Sequence, residues 1–461
     1  MSGTRVPAVN PATSERLGEF EATDARALDE AVDRAAHAAA PWAGLGPRGR
    51  RAALRRLADA IDRRAGEIAL LDARDSGNAL HSMQADVAKA VEYLHYFAEI
   101  AGEAGGRLVP LADGRNAVVS REPFGVVGVI TAYNHPFYFS ISKSAAALAA
   151  GNVVVIKPPE QATLSSLLLR ELAADTLPAG VLTVAPGEAS TGELIVGHPG
   201  IPRISFTGGQ SAGRMVLAAA GQRLKIATVE LGGKNAFVAC GDVDVAATAA
   251  AAARSLNLLS VAGQSCSSTS VLFAHESVHD ELVAAVCREF ERVPVDLPER
   301  PGVHMGCLIS TEHRASVHAY VEGAIGEGAD LVTGGHPVDA FPKGAFYPPT
   351  LLSGVRSSFR IAREEVFGPV MAIISWSSED ELVAAVNSTG YGMTANVWSA
   401  DERRAWDIAR RLTVGYAWIN APTIALPVGL PFGGVRNSGT ARDHSIEELQ
   451  SFTYLKVMAP L

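Results

Sequence analysis

The sequence has few cysteines for its length, and their spacing excludes two common uses of cysteine. Four cysteines in 461 residues are too sparse for a disulfide-stapled scaffold. No Cys-x-x-Cys pair occurs, so neither a zinc site built on cysteines nor an iron–sulfur cluster is expected. We therefore expect no metal site, and we expect reduced thiols that are free for other chemistry.

Long apolar runs and an excess of basic residues are also missing. The longest apolar stretch, AAALAAGNVVVI at 145–156, is too short to cross a bilayer. The N-terminus lacks the apolar core of a secretory signal, so we expect a cytoplasmic protein with no membrane partner. The formal net charge of −9 argues against nucleic acid as a partner. The arginine-rich segment 47–64 is typical of a solvated face on an amphipathic helix.

The order of the predicted elements indicates an α/β protein with more than one domain. A chain of 461 residues exceeds what one hydrophobic core normally holds. Residues 24–100 have helical periodicity and predict three or more amphipathic helices. From 126 to 230, β-branched runs alternate with helical segments, which predicts a Rossmann-like, doubly wound parallel sheet. Its predicted strands span 126–131, 152–157, 181–185, 203–208 and 224–230.

A second alternating region, from about 235 to 430, predicts a second α/β domain. Its predicted helices span 243–258, 277–291, 311–328, 378–388 and 401–412. Its predicted strands span 268–273, 347–352, 370–376, 394–399 and 416–420. Two β-patterned runs flank Asp113-Gly114 and predict a hairpin within 105–126, for which the tail 449–459 is a candidate partner strand.

Two loops at predicted strand ends have features of a nucleotide site. In SFTGGQSAG, Gly208, Gly209 and Gly213 lie where a strand gives way to a helix, so backbone N–H groups there can hold a pyrophosphate. A plain tight turn explains the same glycines when they are taken alone. In VVVIKPPE, Lys157 and Glu160 can bind a ribose diol or form a solvated loop. A carboxylate at the ribose would repel a 2′-phosphate, which favours NAD over NADP.

Three side chains carry the chemistry of acyl transfer. Cys266 lies among small and hydroxyl residues in SVAGQSCSSTS, which leaves room for a carbonyl and frees its N–H for an oxyanion. Glu230 ends a strand before two glycines and can swing as a general base, although a surface carboxylate also fits the pattern. Asn134 follows the first strand of the predicted sheet, and its amide NH₂ can donate to an oxyanion.

The other three cysteines lack such surroundings. Cys287 lies on the apolar stripe of a predicted helix, which predicts a buried structural thiol. Cys240 ends an apolar strand and Cys307 lies in HMGCLIS, and neither has a base or anion-binding glycines nearby in sequence. Cys266 is therefore the candidate nucleophile, although these residues alone also allow an unreactive thiol.

Taken together, these segments resemble the aldehyde dehydrogenase superfamily, of the type that hydrolyses its thioester and does not acylate coenzyme A. The resemblance covers nearly the whole chain and runs in order through PFGVVGVITAYNHP, GNVVVIKPPE, ISFTGG, VELGGKN, GQSC, EEVFGPV and LPFGGVRNSG. ELGGKN followed by GQSC is its most specific part, with Glu230 and Cys266 36 residues apart.

The resemblance implies a mechanism and a cofactor. Cys266 would attack an aldehyde carbonyl, with Asn134 and the Cys266 N–H holding the oxyanion. The thiohemiacetal would pass a hydride to nicotinamide, and Glu230 would activate the water that hydrolyses the resulting thioester to the acid. Residues implied to bind NAD are Thr131, Lys157, Glu160, Gly208, Gly209, Gly213, Glu365 at the nicotinamide ribose, and Phe367 against the ring.

The resemblance also implies an aldehyde pocket with a mostly apolar and aromatic lining. The lining residues would be His135, Tyr138, Phe139, Ile424 and Phe432. Such a lining favours an uncharged aromatic or medium-chain aldehyde over a small charged semialdehyde. Alternatives are an NADP-linked semialdehyde or betaine-aldehyde-type dehydrogenase, a coenzyme A-acylating relative, and a protein that keeps the fold without activity. The presence of Glu230 argues against an acylating enzyme, because a thiol acceptor needs no such base.

By the same resemblance, an NAD-binding domain would span 1–104 and 124–232, and a catalytic domain 233–433. Segments 105–123 and 444–461 would form a small β arm for oligomerisation, giving a homodimer or homotetramer.

Three departures from the family pattern stand out. Ala132-Tyr133 replace a usual Pro-Trp, Val271 replaces a frequent arginine, and Gly209 replaces a usual serine, so one hydroxyl contact to the pyrophosphate would be lost.

Overall fold

A computed structural model describes residues 4–338, 340–423 and 426–460 of the chain. It begins with an antiparallel hairpin of β1 (Arg5–Val9) and β2 (Arg16–Glu21), which the sequence pattern did not predict. Val6 and Ala8 of β1 are buried and alternate with exposed neighbours. The alternation lasts only five residues, which is too short to distinguish a strand from chance.

The predicted helices between 24 and 100 are confirmed. They are α1 (Ala25–Gly44), α2 (Gly46–Arg63), α3 (Ala65–Ser76) and α4 (Leu80–Glu99). Asp24 begins α1 by accepting the Ala27 N–H at 2.8 Å. α2 buries Leu54 and Leu57, and most of its arginines are exposed, as the pattern indicates. The predicted hairpin follows as β3 (Arg107–Pro110) and β4 (Asn116–Pro123).

Five parallel strands form the first sheet, as predicted. They are β5 (Val126–Ile130), β6 (Val153–Lys157), β7 (Leu182–Val184), β8 (Arg203–Thr207) and β9 (Ile226–Glu230). Their spatial order is β7-β6-β5-β8-β9. The helices between them are α5 (Pro136–Ala149), α6 (Leu164–Thr176), α7 (Ala189–Gly197) and α8 (Gln210–Gly221). The order reverses between β5 and β8, as in doubly wound folds.

The second sheet has the order β12-β13-β14-β11-β10-β15-β16 and is parallel except for β12. Its strands are β10 (Ala236–Ala239), β11 (Val271–His275), β12 (Asp330–Thr333), β13 (Thr350–Ser353), β14 (Val370–Trp376), β15 (Thr394–Trp398) and β16 (Tyr416–Ile419). Its helices are α9 (Val245–Ser255), α10 (Leu258–Val261), α11 (His279–Glu291), α12 (Thr311–Gly326), α13 (Arg360–Arg363), α14 (Glu379–Asn387) and α15 (Glu402–Arg411).

Three predicted elements of this region have different bounds. The helix predicted over 243–258 is two helices, because Asn257 adopts a left-handed conformation with φ of 57° between α9 and α10. The strand predicted from Tyr347 starts at Thr350, since Pro348 and Pro349 have no N–H to donate to a ladder. β11 starts at Val271, three residues later than predicted.

The tail combines a helix and a strand. The segment 449–459 was predicted as one strand, but its first residues belong to α16 (Ile446–Ser451), and the strand is β17 (Thr453–Met458). β17 pairs antiparallel with β4 and completes a three-stranded sheet with β3, so the predicted pairing with the hairpin is confirmed. Across the described residues, the helices are too short or too polar to span a bilayer.

Candidate active site

The carboxyl ends of four strands of the first sheet meet at one cleft. β5 leads into Thr131, β6 ends at Lys157, β8 leads into Gly208 and β9 ends at Glu230. The cleft lies where the strand order reverses, which is the usual ligand site of doubly wound sheets. A cavity of about 740 Å³ occupies this position.

Lys157 and Glu160 lie side by side in the cleft. Lys157 Nζ donates to Glu160 Oε2 at 3.0 Å, and the side chains are 5% and 34% exposed, respectively. The buried amine therefore fixes a partly exposed carboxylate at the cavity wall. A carboxylate held this way can accept hydrogen bonds from a diol.

The glycine turn between β8 and α8 is open towards the cleft. Gly208 and Gly209 both line the large cavity. A Cβ atom on Gly209 would meet no other atom within 4 Å, so the space beside this turn is empty. Helix α8 starts at Gln210, and its first N–H groups are available to an anion. Gly213 lies one turn later, where its N–H donates to Gly209 O at 3.0 Å and its Cα faces Leu231, outside the cavity lining.

Two buried hydroxyls at the cleft have no partner within the described ranges. They are Thr131 Oγ1 and Thr207 Oγ1. Buried hydroxyls are normally hydrogen-bonded, so a polar ligand in the cleft would satisfy them. The open glycine turn, the Lys157–Glu160 pair and these hydroxyls together fit the phosphates and riboses of a dinucleotide.

A second cavity of about 250 Å³ contains the predicted catalytic residues. Asn134, Glu230 and Cys266 line it together with Glu365 and Phe367. It shares Ala132, Tyr133, Thr207, Gly208 and Gly209 with the larger cavity, so the two spaces are continuous. The fold thus brings together three side chains that are far apart in the sequence.

The loop that carries Cys266 is tightly fixed. Asn235 Nδ2 donates to the carbonyls of Cys266 at 2.6 Å and Ser268 at 3.0 Å. Gly263 has φ of 76°, and a side chain there would collide with Gly368 O. In the portion of the chain that the structure covers, no acceptor faces the Cys266 N–H. That N–H is available to a ligand oxygen, as predicted.

Burial dominates the electrostatics of the four thiols. It raises the pKa of Cys266 to about 12, and the charges of Glu230 and Glu365 raise that pKa further. The pKa of Cys240 is raised to about 11 by burial, and that of Cys307 is raised as well. Carboxylates also lie near Cys240 and Cys307, so what distinguishes Cys266 is its place in a cavity.

The prediction that Cys287 is a buried structural thiol is wrong in its burial, although the residue does pack against the core. The residue is half-buried, and its thiol lies 3.6 Å from Glu291 Oε1, one turn later on α11. Its Cα lies at the edge of the apolar stripe, so one side of the side chain packs on the core and the other reaches solvent.

The backbone carbonyl of Asn134 accepts a hydrogen bond, whereas its side-chain amide is not hydrogen-bonded to another described residue. Asn78 Nδ2 donates to Asn134 O at 2.9 Å, and the residue is 3% exposed. The Phe137 N–H, in the first turn of α5, donates to Asp72 Oδ2 at 3.1 Å. No hydrogen bond to the Asn134 side-chain amide occurs in the described ranges, although this residue lines the inner cavity.

Glu230 lies beside a buried ion pair that the sequence analysis missed. Lys143 Nζ on α5 bonds to Asp443 Oδ2, and both side chains are less than a tenth exposed. Burial raises the pKa of Glu230 well above its ordinary value, Asp443 raises it further, and Lys143 opposes both. Glu230 Oε1 has no hydrogen-bond partner among the described residues. The Lys143 cation thus shares one buried site with three carboxylates, those of Asp443, Glu230 and Glu448. Lys143 lies in an Ala-rich helix and is 300 residues from Asp443, so the sequence carries little signal for this pair.

Glu365 faces Gly233 from the second sheet's side of the cavity. Its Oε1 accepts the Gly233 N–H at 2.9 Å, and burial raises its pKa to about 7. Phe367, two residues later, has φ of 55°, and its carbonyl oxygen lies 2.8 Å from His313 Nε2. This bond fixes a strained backbone position beside the cavity.

Among the described residues of the predicted aldehyde lining, only Phe139 lines the inner cavity, and His135, Tyr138 and Phe432 lie outside that lining. Phe139 lines the inner cavity, and Phe432 is buried in an apolar cluster against which Cys266 packs. Tyr138 Oη lies 3.0 Å from His444 Nε2, and His135 Nδ1 lies 2.7 Å from Asp86 Oδ2. Ile424, also predicted here, lies outside the described residues.

The fold and the cavities together define a class of protein. A dinucleotide-sized cleft on a doubly wound sheet opens into a cavity with a cysteine, an amide and a carboxylate. This arrangement suits an enzyme that combines redox chemistry with acyl transfer through sulfur.

Comparison with known proteins gives the family. The model of the aldehyde dehydrogenase family matches residues 1–458. The chain belongs to this family and is an oxidoreductase that acts on aldehydes. It is 36% identical over 466 aligned residues to the aldehyde dehydrogenase tropH of Talaromyces stipitatus, covering 99% of this chain and 90% of that protein.

Solved structures agree with this assignment. An NAD⁺ complex of an aldehyde dehydrogenase from Bacillus cereus has a TM-score of 0.95 and 30% identity, covering 99% of this chain and 93% of that one. An NADP-dependent enzyme from E. coli has a TM-score of 0.95 and 28% identity, covering 99% and 94%. Both similarities extend over nearly the full length of each chain.

Proposed function

We propose that the protein oxidises an aldehyde to its carboxylic acid with NAD, through a thioester on Cys266 that water hydrolyses. One observation carries this proposal: Asn134, Glu230 and Cys266 line one cavity that opens into a dinucleotide-sized cleft. Packing alone does not require an amide, a carboxylate and a thiol around the same space.

Attack on the aldehyde begins with the Cys266 thiol, which must lose its proton. Because the pKa of this thiol is raised to about 12 by burial, the resting group is protonated. Glu230, the carboxylate with the largest effect on that pKa, can accept the proton as sulfur bonds to the carbonyl carbon. The carbonyl oxygen then becomes an oxyanion, and the Asn134 amide and the Cys266 N–H are the donors available to it.

When bound, the cofactor would supply an acceptor for the hydride of the thiohemiacetal carbon, which would leave a thioester on Cys266. At one end of the cofactor, Lys157 and Glu160 would hold a ribose. Gly208, Gly209 and the start of α8 would hold the pyrophosphate, with Gly213 supporting the turn and Thr131 nearby. Glu365 and Phe367 would hold the nicotinamide end. The Bacillus cereus NAD⁺ complex supports this choice.

Glu230 also has the position needed for the second half-reaction. After Glu230 has released the Cys266 proton to solvent, its carboxylate can take a proton from the water that attacks the acyl carbon, and the Cys266 sulfur then leaves as the acid forms. Lys143, held by Asp443 beside Glu230, offers a positive charge that favours the ionised form of Glu230 against the opposing effects of burial and of Asp443. This arrangement supports hydrolysis to the free acid over transfer to coenzyme A.

NADP is the second candidate cofactor, since an NADP-dependent enzyme shares the fold. Glu160 favours NAD because its carboxylate, tethered to Lys157, would repel a 2′-phosphate. The substrate class we propose is an uncharged aldehyde, aromatic or of medium chain, which suits the Phe139 and Phe432 rings.

We also propose the domain roles. Residues 1–104 and 124–232 would bind the cofactor, 233–433 would carry Cys266, and 105–123 with 444–461 would form an oligomerisation arm in a cytoplasmic homodimer or homotetramer. The arm exposes a row of large apolar side chains, which supports a role in association. These are Leu108, Val109, Val118, Tyr454, Leu455, Val457 and Met458.

An aldehyde panel with both cofactors tests the proposal. Benzaldehyde, hexanal and succinate semialdehyde are each supplied with NAD⁺ or NADP⁺, with and without coenzyme A. We expect NADH and free acid, fastest with benzaldehyde or hexanal, and no effect of coenzyme A. Acyl-coenzyme A as the main product would overturn the hydrolytic mechanism, and a large preference for the semialdehyde would overturn the substrate class.

A further inference from the structure

A histidine–aspartate pair lies next to the proposed oxyanion residue. His135 Nδ1 is 2.7 Å from Asp86 Oδ2, and the two side chains are 19% and 16% exposed. His135 directly follows Asn134 in the chain, and Asp86 lies on α4, which packs against α5. The pair is therefore partly open and adjacent to the candidate catalytic site.

The His135 ring packs against Phe139, at the edge of the cavity that contains Cys266. Its centroid is 5.5 Å from that of Phe139 and 6.1 Å from that of Tyr138, both in edge-to-face geometry. Phe139 itself lines the cavity that contains Cys266. A ligand that extends from Cys266 across Phe139 would come within reach of the His135 ring.

A purely structural role for His135 would account for its Nδ1 atom, which is paired with Asp86, but not for its Nε2 atom. His135 is the residue that begins α5, but its side chain makes no capping bond to the helix. Asp86 binds Nδ1, and over the described ranges no hydrogen bond involves Nε2. Tyr138 is already engaged with His444 at 3.0 Å, and His444 Nδ1 has no partner among the described residues but is buried. His135 Nε2 is thus a polar atom beside Phe139 that is free to meet a ligand.

The protonation of His135 makes Nε2 a donor. Burial lowers its pKa, but the nearby Asp86 and Asp72 raise it by more, and the net shift is upward. Asp86 orients the ring by holding Nδ1–H, so Nε2–H points away from that carboxylate. Because Asp86 balances the imidazolium charge, the pair offers a hydrogen bond without a net positive charge.

We propose that the Asp86–His135 pair recognises a hydroxyl oxygen on the far side of the aldehyde substrate, so that the enzyme prefers hydroxylated aromatic aldehydes over their unsubstituted parents. This inference rests on the proposed function, and it narrows the substrate class given there. The balanced charge of the pair favours a neutral hydroxyl over a carboxylate.

Ratios of specificity constants test the inference. For each enzyme, kcat/KM is measured with benzaldehyde and with the three hydroxybenzaldehydes, so that effects common to all substrates cancel. We expect at least one hydroxybenzaldehyde to exceed benzaldehyde by about tenfold or more, as a charge-assisted hydrogen bond provides. His135→Phe, which keeps a ring but removes Nε2, should lower that ratio by about tenfold, and Asp86→Asn should lower it in the same direction.

His279→Phe is the matched control, because His279 also pairs with an aspartate, Asp280 at 2.8 Å, but at the exposed start of α11. It should leave the ratio unchanged. The inference is overturned if His135→Phe leaves the ratio unaffected. It is also overturned if the wild-type enzyme oxidises benzaldehyde at least as well as every hydroxybenzaldehyde. Either result leaves the proposed function intact. If the wild-type enzyme oxidises no aldehyde with either cofactor, the proposed function fails and the inference fails with it.

Discussion

Replacing Lys143 by methionine removes the cation between two buried carboxylates. Lys143 is 3% exposed, bonds to Asp443 and lies close enough to Glu230 to affect its pKa. Burial lowers the pKa of Lys143, but Asp443 and Glu230 raise it by more. Its stabilising effect is therefore complete below the unfolded lysine pKa near 10.4, and is lost only as pH rises above that value.

The expected effect has two parts. Removing one member of a buried ion pair costs about 3–5 kcal/mol, so the free energy of unfolding should fall by that amount at pH 7. Opposite charges about 5 Å apart interact by about 3 kcal/mol at an effective dielectric constant of about 20. Loss of that attraction should raise the pKa of Glu230 by up to about two units. Deacylation, which needs ionised Glu230, should then require higher pH.

Urea unfolding at pH 7 measures the loss of stability. The dependence of kcat on pH between 6 and 10 measures the change in the pKa of Glu230. In the double variant Lys143→Met with Asp443→Asn, much of the lost stability should return, because Asp443, the direct partner of Lys143, no longer leaves an unpaired charge. Lys89→Met is the control, since Lys89 forms an exposed pair with Glu92 at 2.8 Å and should cost less than about 1 kcal/mol. An unchanged pH profile together with unchanged stability in Lys143→Met would refute the reasoning.

Two further predictions concern the cofactor turn and a buried carboxyl. Gly209→Asp should raise KM for NAD⁺ about tenfold or more, because the new carboxylate would enter the proposed pyrophosphate space. Gly209→Ser should leave KM unchanged, since a Cβ at this position meets no atom within 4 Å. Equal effects of the two substitutions in steady-state kinetics would contradict this. Burial raises the pKa of Asp72 to about 8, so ionisation of this carboxyl disfavours the fold increasingly as pH rises from about 4 to 8. Asp72→Asn should therefore raise Tm relative to wild type more at pH 8 than at pH 5, and an equal difference at both pH values would argue against that pKa.

Much of the fold was predictable because its elements carry strong local patterns. Strands β5 and β6 of the first sheet are runs rich in β-branched residues and buried on both faces, and both match the predicted segments to within a residue or two. The β1–β2 hairpin and the split between α9 and α10 were missed. The hairpin is short, and the split depends on a left-handed conformation at Asn257 that the sequence does not specify.

The candidate site was predictable where its residues follow strand ends or lie in glycine-rich loops. Asn134, Glu230 and Cys266 have such neighbours, and the fold brings them to one cavity. The Lys143–Asp443 and Asp86–His135 pairs were missed, because each joins residues from separate segments. Helical periodicity indicates that a position faces inward, but it does not reveal which charged partner meets it there.

Trapping the acyl intermediate tests the central claim most directly. Glu230→Gln enzyme is mixed with benzaldehyde and NAD⁺, quenched in acid, and digested for peptide mass spectrometry. Because Glu230 also accepts the Cys266 proton, the mechanism predicts a burst of NADH that forms more slowly than in the wild-type enzyme but reaches close to one per active site. Turnover afterwards should be slower still, with a benzoyl group on the peptide that contains Cys266. The same experiment on Glu230→Gln with Cys266→Ala should give neither burst nor adduct. Rapid steady turnover by the single variant without an adduct on Cys266, or a benzoyl group on another cysteine, would contradict the account.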